Sequence, residues 1–89
     1  MNMDELRGRI DAVDDELLRC FAERMDIAGD IARYKAEHGL PVLDERRERE
    51  KLYAVSEKAP EELQSYAVSL YALLFELSRS RQNRLLHKQ

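Results

Sequence analysis

A chain of 89 residues with formal net charge -3, 44% hydrophobic and 37% charged, with three Gly, two Pro and no Trp, reads as one helical domain, 1–89. Sheet proteins and disordered tails have other compositions, and mild acidity excludes nucleic acid as the main partner because phosphate contacts leave a basic domain. No apolar run approaches the roughly 18 residues of a membrane span, no signal-like segment follows Met1, and the single cysteine, Cys20, cannot close an internal disulfide, so the expected compartment is the cytoplasm.

The first predicted element carries apolar residues at Leu6, Ile10, Val13, Leu17 and Cys20, then at Ile27, Ile31 and Tyr34, alternating by four and three with one gap. That is a helical stripe with coiled-coil spacing. Asn2 is placed to cap it, with Glu5 three residues on, and nothing interrupts it before Gly39 and Pro41, so one helix is expected from about Asp4 to His38. About 34 residues at 1.5 Å each give roughly 50 Å, whereas a compact monomer of this size is about 30 Å across. The overhang keeps its apolar stripe, so a second copy of the chain is expected to cover it in a two-fold dimer.

A second helix is expected after the Gly39-Leu40-Pro41 turn, with Asp44 as N-cap and an end near Lys58, ahead of Ala59-Pro60. Its apolar positions are Leu52, Val55 and Ala59. Projected backwards, that face meets Glu48 and then Asp44 or Glu45, with Arg47 at its edge. A third helix, with Pro60 in its first turn, reads apolar at Leu63, Tyr66, Ala67, Leu70, Leu73, Leu74 and Leu77 and continues to about Leu86. A second stripe on it, Ala67, Tyr71, Leu74, Ser78, Gln82 and Leu85, is interrupted by polar groups. The expected architecture is all-α: long, short, long, joined by short turns.

Polar residues on these faces point to function. The gap in the first stripe is Arg24, and a guanidinium among Cys20, Ile27 and Ile31 costs several kcal/mol if unpaired. It is expected to meet an anion, either Glu48 or Asp44 within the bundle or a ligand. Lys35, eleven residues on, returns to nearly the same face. Arg7 near the other end is a surface residue of its own chain or reaches a similar space on an antiparallel partner. Ser78 and Gln82 either bond to neighbouring helices or face a ligand. Glu45, Arg46, Arg49 and Glu50 fit an exposed face with weak i,i+4 pairs. The set lacks a nucleophile beside a base, metal-ligand spacing and glycine-rich phosphate loops. What it can do is hold a small polyanion and stabilise charge without covalent or metal chemistry.

Nearly the whole chain resembles the all-helical, type II chorismate mutases, from LRGRIDAVDDELLRCFAERMDIAGDIARYK through GLPVLDERRERE to SLYALLFELSRSRQ. The shared pattern is an early Leu-Arg-x-x-Ile-Asp, then Leu-Leu-x-x-x-x-Glu-Arg, Lys35 eleven after Arg24, a Pro-Val-x-Asp-x-x-Arg-Glu turn and helix start, and Ser-x-x-x-Gln late in the third helix. The resemblance implies an intertwined homodimer whose two sites rearrange chorismate to prephenate without cofactor or metal, in aromatic amino acid biosynthesis. It also implies roles. Arg7 is donated by the partner, Arg24 binds a substrate carboxylate, and Lys35 contacts a carboxylate and the ether oxygen. Glu48 and the backbone near Asp44 hold the ring hydroxyl, Arg47 completes that signature, Ser78 sits by a carboxylate and Gln82 donates to the ether oxygen. The alternatives are an isochorismate pyruvate-lyase on the same fold and a non-catalytic helical dimerisation or regulatory module.

Overall fold

The computed structural model describes residues 1–87. Three helices, α1 (Met3–Glu37), α2 (Glu45–Lys58) and α3 (Gln64–Leu86), follow one another, with a single 3-10 turn at Glu61–Leu63. The all-α expectation and the long, short, long order hold.

Local chemistry sets the helix ends. The Asn2 side chain accepts the Glu5 N–H at 2.9 Å, and Asp44 Oδ1 accepts the Arg47 N–H at 3.0 Å, so both expected caps form. At the other end of α1 the Leu40 N–H reaches back to the Lys35 carbonyl at 2.8 Å and the Gly39 N–H to Ala36 at 3.5 Å. These are the two bonds of a Schellman ending, with Gly39 supplying the left-handed residue at φ 65°. One boundary differs from expectation. Pro60 precedes the 3-10 turn with an extended ψ of 144°, because a proline there closes a tight turn between elements, and α3 begins four residues later.

α3 packs against both α1 and α2, while α1 and α2 make no close backbone approach among the described residues. The space between them is therefore a hollow with α3 as its floor. Small residues let α1 and α3 come close: Ala28, Gly29 and Ala32 are buried, and a Cβ on Gly29 would stand 3.2 Å from Leu85 Cδ1. With Val55 and Gln82, these are the only buried residues among those described.

The faces that are covered are not the most apolar ones. On α3 the interrupted stripe, from Ala67 and Tyr71 through Ser78 to Leu85, turns inward, whereas Tyr66, Leu70 and Leu73 are exposed. On α1, Leu6, Ile10, Val13, Leu17, Ile27, Ile31 and Tyr34 are all exposed as well. The molecule extends 54 × 30 × 13 Å with a radius of gyration of 16.2 Å, against about 12 Å for a compact chain of this length. Its accessible surface of 7367 Å² exceeds the roughly 5,400 Å² of a compact monomer of this mass by about 1,900 Å².

Candidate active site

The hollow between α1 and α2 has a volume of about 500 Å³, within the range of small-molecule sites. Seven of the eight residues singled out in the sequence line it: Arg24 and Lys35 from α1, Asp44, Arg47 and Glu48 at the start of α2, and Ser78 and Gln82 from α3. Arg7 does not. It lies seventeen residues before Arg24 on the same helix, about 25 Å away along the axis, and is exposed.

The hollow is strongly positive in a chain that is negative overall. Its walls hold Arg24, Lys35, Arg47, Lys51 and Arg79 against two carboxylates, Asp44 and Glu48. The low-dielectric floor of Tyr71 and Phe75 strengthens the attraction such a cluster exerts on an anion.

Of the two partners expected for Arg24, a carboxylate of the bundle is not the one it meets. Among the described residues it meets no anion: its guanidinium carbon stands 5.8 Å from the Tyr71 ring centre and 5.9 Å from that of Phe75. The ring faces offset part of its desolvation, and half-burial leaves it solvated on the hollow side. Glu48, one of the acids expected to answer it, is taken instead by Arg79, whose Nη1 lies 2.6 Å from both carboxylate oxygens. Asp44, the other, spends Oδ1 on the α2 cap.

Lys35 is held from behind. Its ammonium donates to the Val42 carbonyl at 2.7 Å, bracing the end of α1 against the turn and leaving further N–H donors for the hollow. Gln82 is only 4% exposed, the most buried polar side chain described. One amide hydrogen goes to Ser78 Oγ at 3.0 Å, while its Oε1 has no partner among the described residues. Arg47 and Lys51 face the hollow with no side-chain partner among the described residues.

Arg79, Lys51, Tyr71 and Phe75 were not singled out as site residues. A signal for the α3 members was present: Tyr71, Phe75 and Arg79 recur at four-residue steps beside Ser78 and Gln82, one helical face. Lys51 repeats the same step from Arg47. The remaining charges of the Asp44–Glu50 run lie outward as expected, with Arg46 pairing Glu50 at 3.0 Å and Arg49 near Glu45 at 4.0 Å, both exposed.

The chorismate mutase type II family model matches residues 6–83. A 4-amino-4-deoxychorismate mutase of Streptomyces venezuelae is 34% identical over 77 residues, 81% of this chain and 72% of its own length. A chorismate mutase of Methanocaldococcus jannaschii is 40% identical over 45 residues, 51% of this chain and 46% of its own length. A T-protein of Haemophilus influenzae is 39% identical over 44 residues, 49% of this chain and 12% of the longer protein. The matched region thus spans less than half the length of the last two. No solved structure matches the chain significantly.

Proposed function

The chain belongs to the type II chorismate mutases, and from that premise we propose that it converts chorismate to prephenate by an intramolecular Claisen rearrangement. In that reaction the ether C–O bond breaks while a new C–C bond forms in the same molecule. No proton enters or leaves, so catalysis consists of selecting the compact diaxial conformer and steadying charge on the ether oxygen.

Arg24 receives one substrate carboxylate, held ready by the aromatic floor. Lys35 contacts a carboxylate and the ether oxygen. Gln82 gives that oxygen its second amide hydrogen, the first being committed to Ser78, and Ser78 lies beside a carboxylate. Glu48 accepts the hydrogen of the ring hydroxyl, which the backbone near Asp44 also helps to hold, and Arg47 adds positive charge at the mouth. Arg7 reaches the hollow from a second copy of the chain, in a homodimer that covers the exposed stripe of α1. The exposed thiol of Cys20 is in keeping with a reducing cytoplasm.

The observation that carries this reading is a cationic hollow in an acidic chain, lined by Arg24, which meets no anion among the described residues, and by the buried Gln82, whose amide nitrogen keeps one hydrogen for a ligand. The magnitudes agree. A millionfold acceleration needs about 8 kcal/mol. One donor aimed at developing charge supplies about 2.7–4 kcal/mol, so Lys35 and Gln82 cover much of it and conformer selection the rest.

The relative matched over the largest share of the chain acts, by its name, on the 4-amino analogue, which gives a second reading of the same site. Incubation with chorismate, isochorismate and the 4-amino analogue in separate tubes, with products identified by NMR, tests both readings. Prephenate from chorismate is the expected result. Pyruvate release from isochorismate alone would assign a lyase, and no turnover of any of the three would assign a non-catalytic module.

A further inference from the structure

Among the described residues, the Arg79–Glu48 pair is the one ion pair that joins two helices; every other lies within four residues on an exposed surface. The two side chains are 31% and 23% exposed, so solvent screens them only in part. One nitrogen, Nη1, bridges both oxygens of the carboxylate at 2.6 Å. Each oxygen therefore keeps a lone pair for another donor, while the charge of the carboxylate is already answered. Around it the hollow carries Arg24, Lys35, Arg47 and Lys51, and the remaining acid is Asp44.

We propose that Arg79 is a specificity-determining residue, acting through Glu48, that makes this corner of the site accept a neutral ring hydroxyl and reject an ammonium. The inference rests on the mutase reading above and narrows it to the hydroxyl substrate. A solitary carboxylate in this corner would favour a cationic substituent by simple charge attraction. Once Arg79 is paired to it, Glu48 remains a good acceptor but offers no net charge. An ammonium bonded to Glu48 would lie within about 4–6 Å of the guanidinium, close enough for like charges to repel, in a hollow that is already cationic. A hydroxyl donates the same hydrogen bond without that repulsion. Specificity then comes from a built-in repulsive group as much as from an attractive one.

Steady-state kinetics on the wild type, Arg79→Gln and Arg79→Lys, each with chorismate and with its 4-amino-4-deoxy analogue, test the proposal. Arg79→Gln keeps a donor to Glu48 and removes the charge; Arg79→Lys keeps the charge. The wild type is expected to have the higher kcat/KM on chorismate. Arg79→Gln should shift the ratio of the two kcat/KM values towards the amine by about tenfold or more, and Arg79→Lys should hold it within about threefold of the wild type. A purely structural role for Arg79 would lower both substrates together and leave the ratio alone. An unchanged ratio in Arg79→Gln, or a wild type that prefers the amine, overturns the role of Arg79 while leaving the mutase reading standing. A wild type that rearranges neither compound overturns both.

Discussion

Gln82 combines deep burial with an oxygen that no described residue satisfies, and an unpaired buried acceptor costs about 1–3 kcal/mol. Function and stability should therefore separate at this residue. Gln82→Met, close in volume and without polar hydrogens, should leave the urea midpoint unchanged or raise it, while the rate on chorismate falls about 10²–10³-fold. A parallel fall in midpoint and rate would mean that Gln82 serves the packing alone. Lys35 behaves differently, because it both faces the hollow and braces the turn through Val42. Lys35→Ala should lose a similar factor in rate, with the helical circular dichroism retained and a modest stability loss of about 1 kcal/mol from the missing bond. Arg24, Ser78 and Gln82 were legible as polar interruptions of apolar stripes, and Lys35 by its return to the face of Arg24. The fate of Arg24 was not: spacing alone cannot tell an ion pair from a seat on two aromatic rings one turn apart on another helix. Nor does it show that Arg79 reaches Glu48 across 31 residues of chain.

Among the elements, every helix boundary but the start of α3 followed from caps and breakers, because those act over three or four residues, a range that a sequence displays. Asn2, Asp44 and Gly39 each do locally what their side chains favour. Gly39 sits at φ 65° with open space around its Cβ position, so Gly39→Ala isolates the backbone term. It should lower stability by about 1–2 kcal/mol, read from the urea midpoint, and it should reduce activity to the extent that Lys35 moves with the end of α1. Facing was harder to read than extent. Hydrophobicity alone assigns Tyr66, Leu70 and Leu73 to the core, yet the chain covers the face with Ser78 and Gln82. The reason is steric: the close approach of α1 and α3 at Gly29 and Leu85 brings the small-residue side of α1 against α3 and leaves the large apolar side chains outside. Ala32, with 0% exposure, lies at that contact. Ala32→Leu should overpack it and cost about 1–3 kcal/mol, again measured by urea denaturation.

Viewed whole, a plate 13 Å thick cannot enclose a ligand with its own two faces. Burying the excess of about 1,900 Å² from each of two copies gives an interface of about 3,800 Å², typical of obligate dimers. Val13→Glu, in the middle of the exposed stripe of α1, should convert a dimeric sedimentation mass to a monomeric one and abolish turnover together with it. Complementation tests the sharing of sites. If Arg7 acts only across the interface, Arg7→Ala and Lys35→Ala chains, each nearly inactive alone, should regain about a quarter of wild-type activity when unfolded and refolded together in equal amounts. Random pairing makes half of the dimers mixed, and each mixed dimer has one intact site of its two.

With a buried interior of little more than Ala28, Ala32 and Val55, a solitary chain has scant reason to stay folded. Under the proposed pairing, encounter with a twin becomes a step of renaturation itself, and the half-time for recovering helicity should double each time the protein is diluted twofold. Scarcity of the chain would then set not merely how much enzyme exists but whether any of it takes shape.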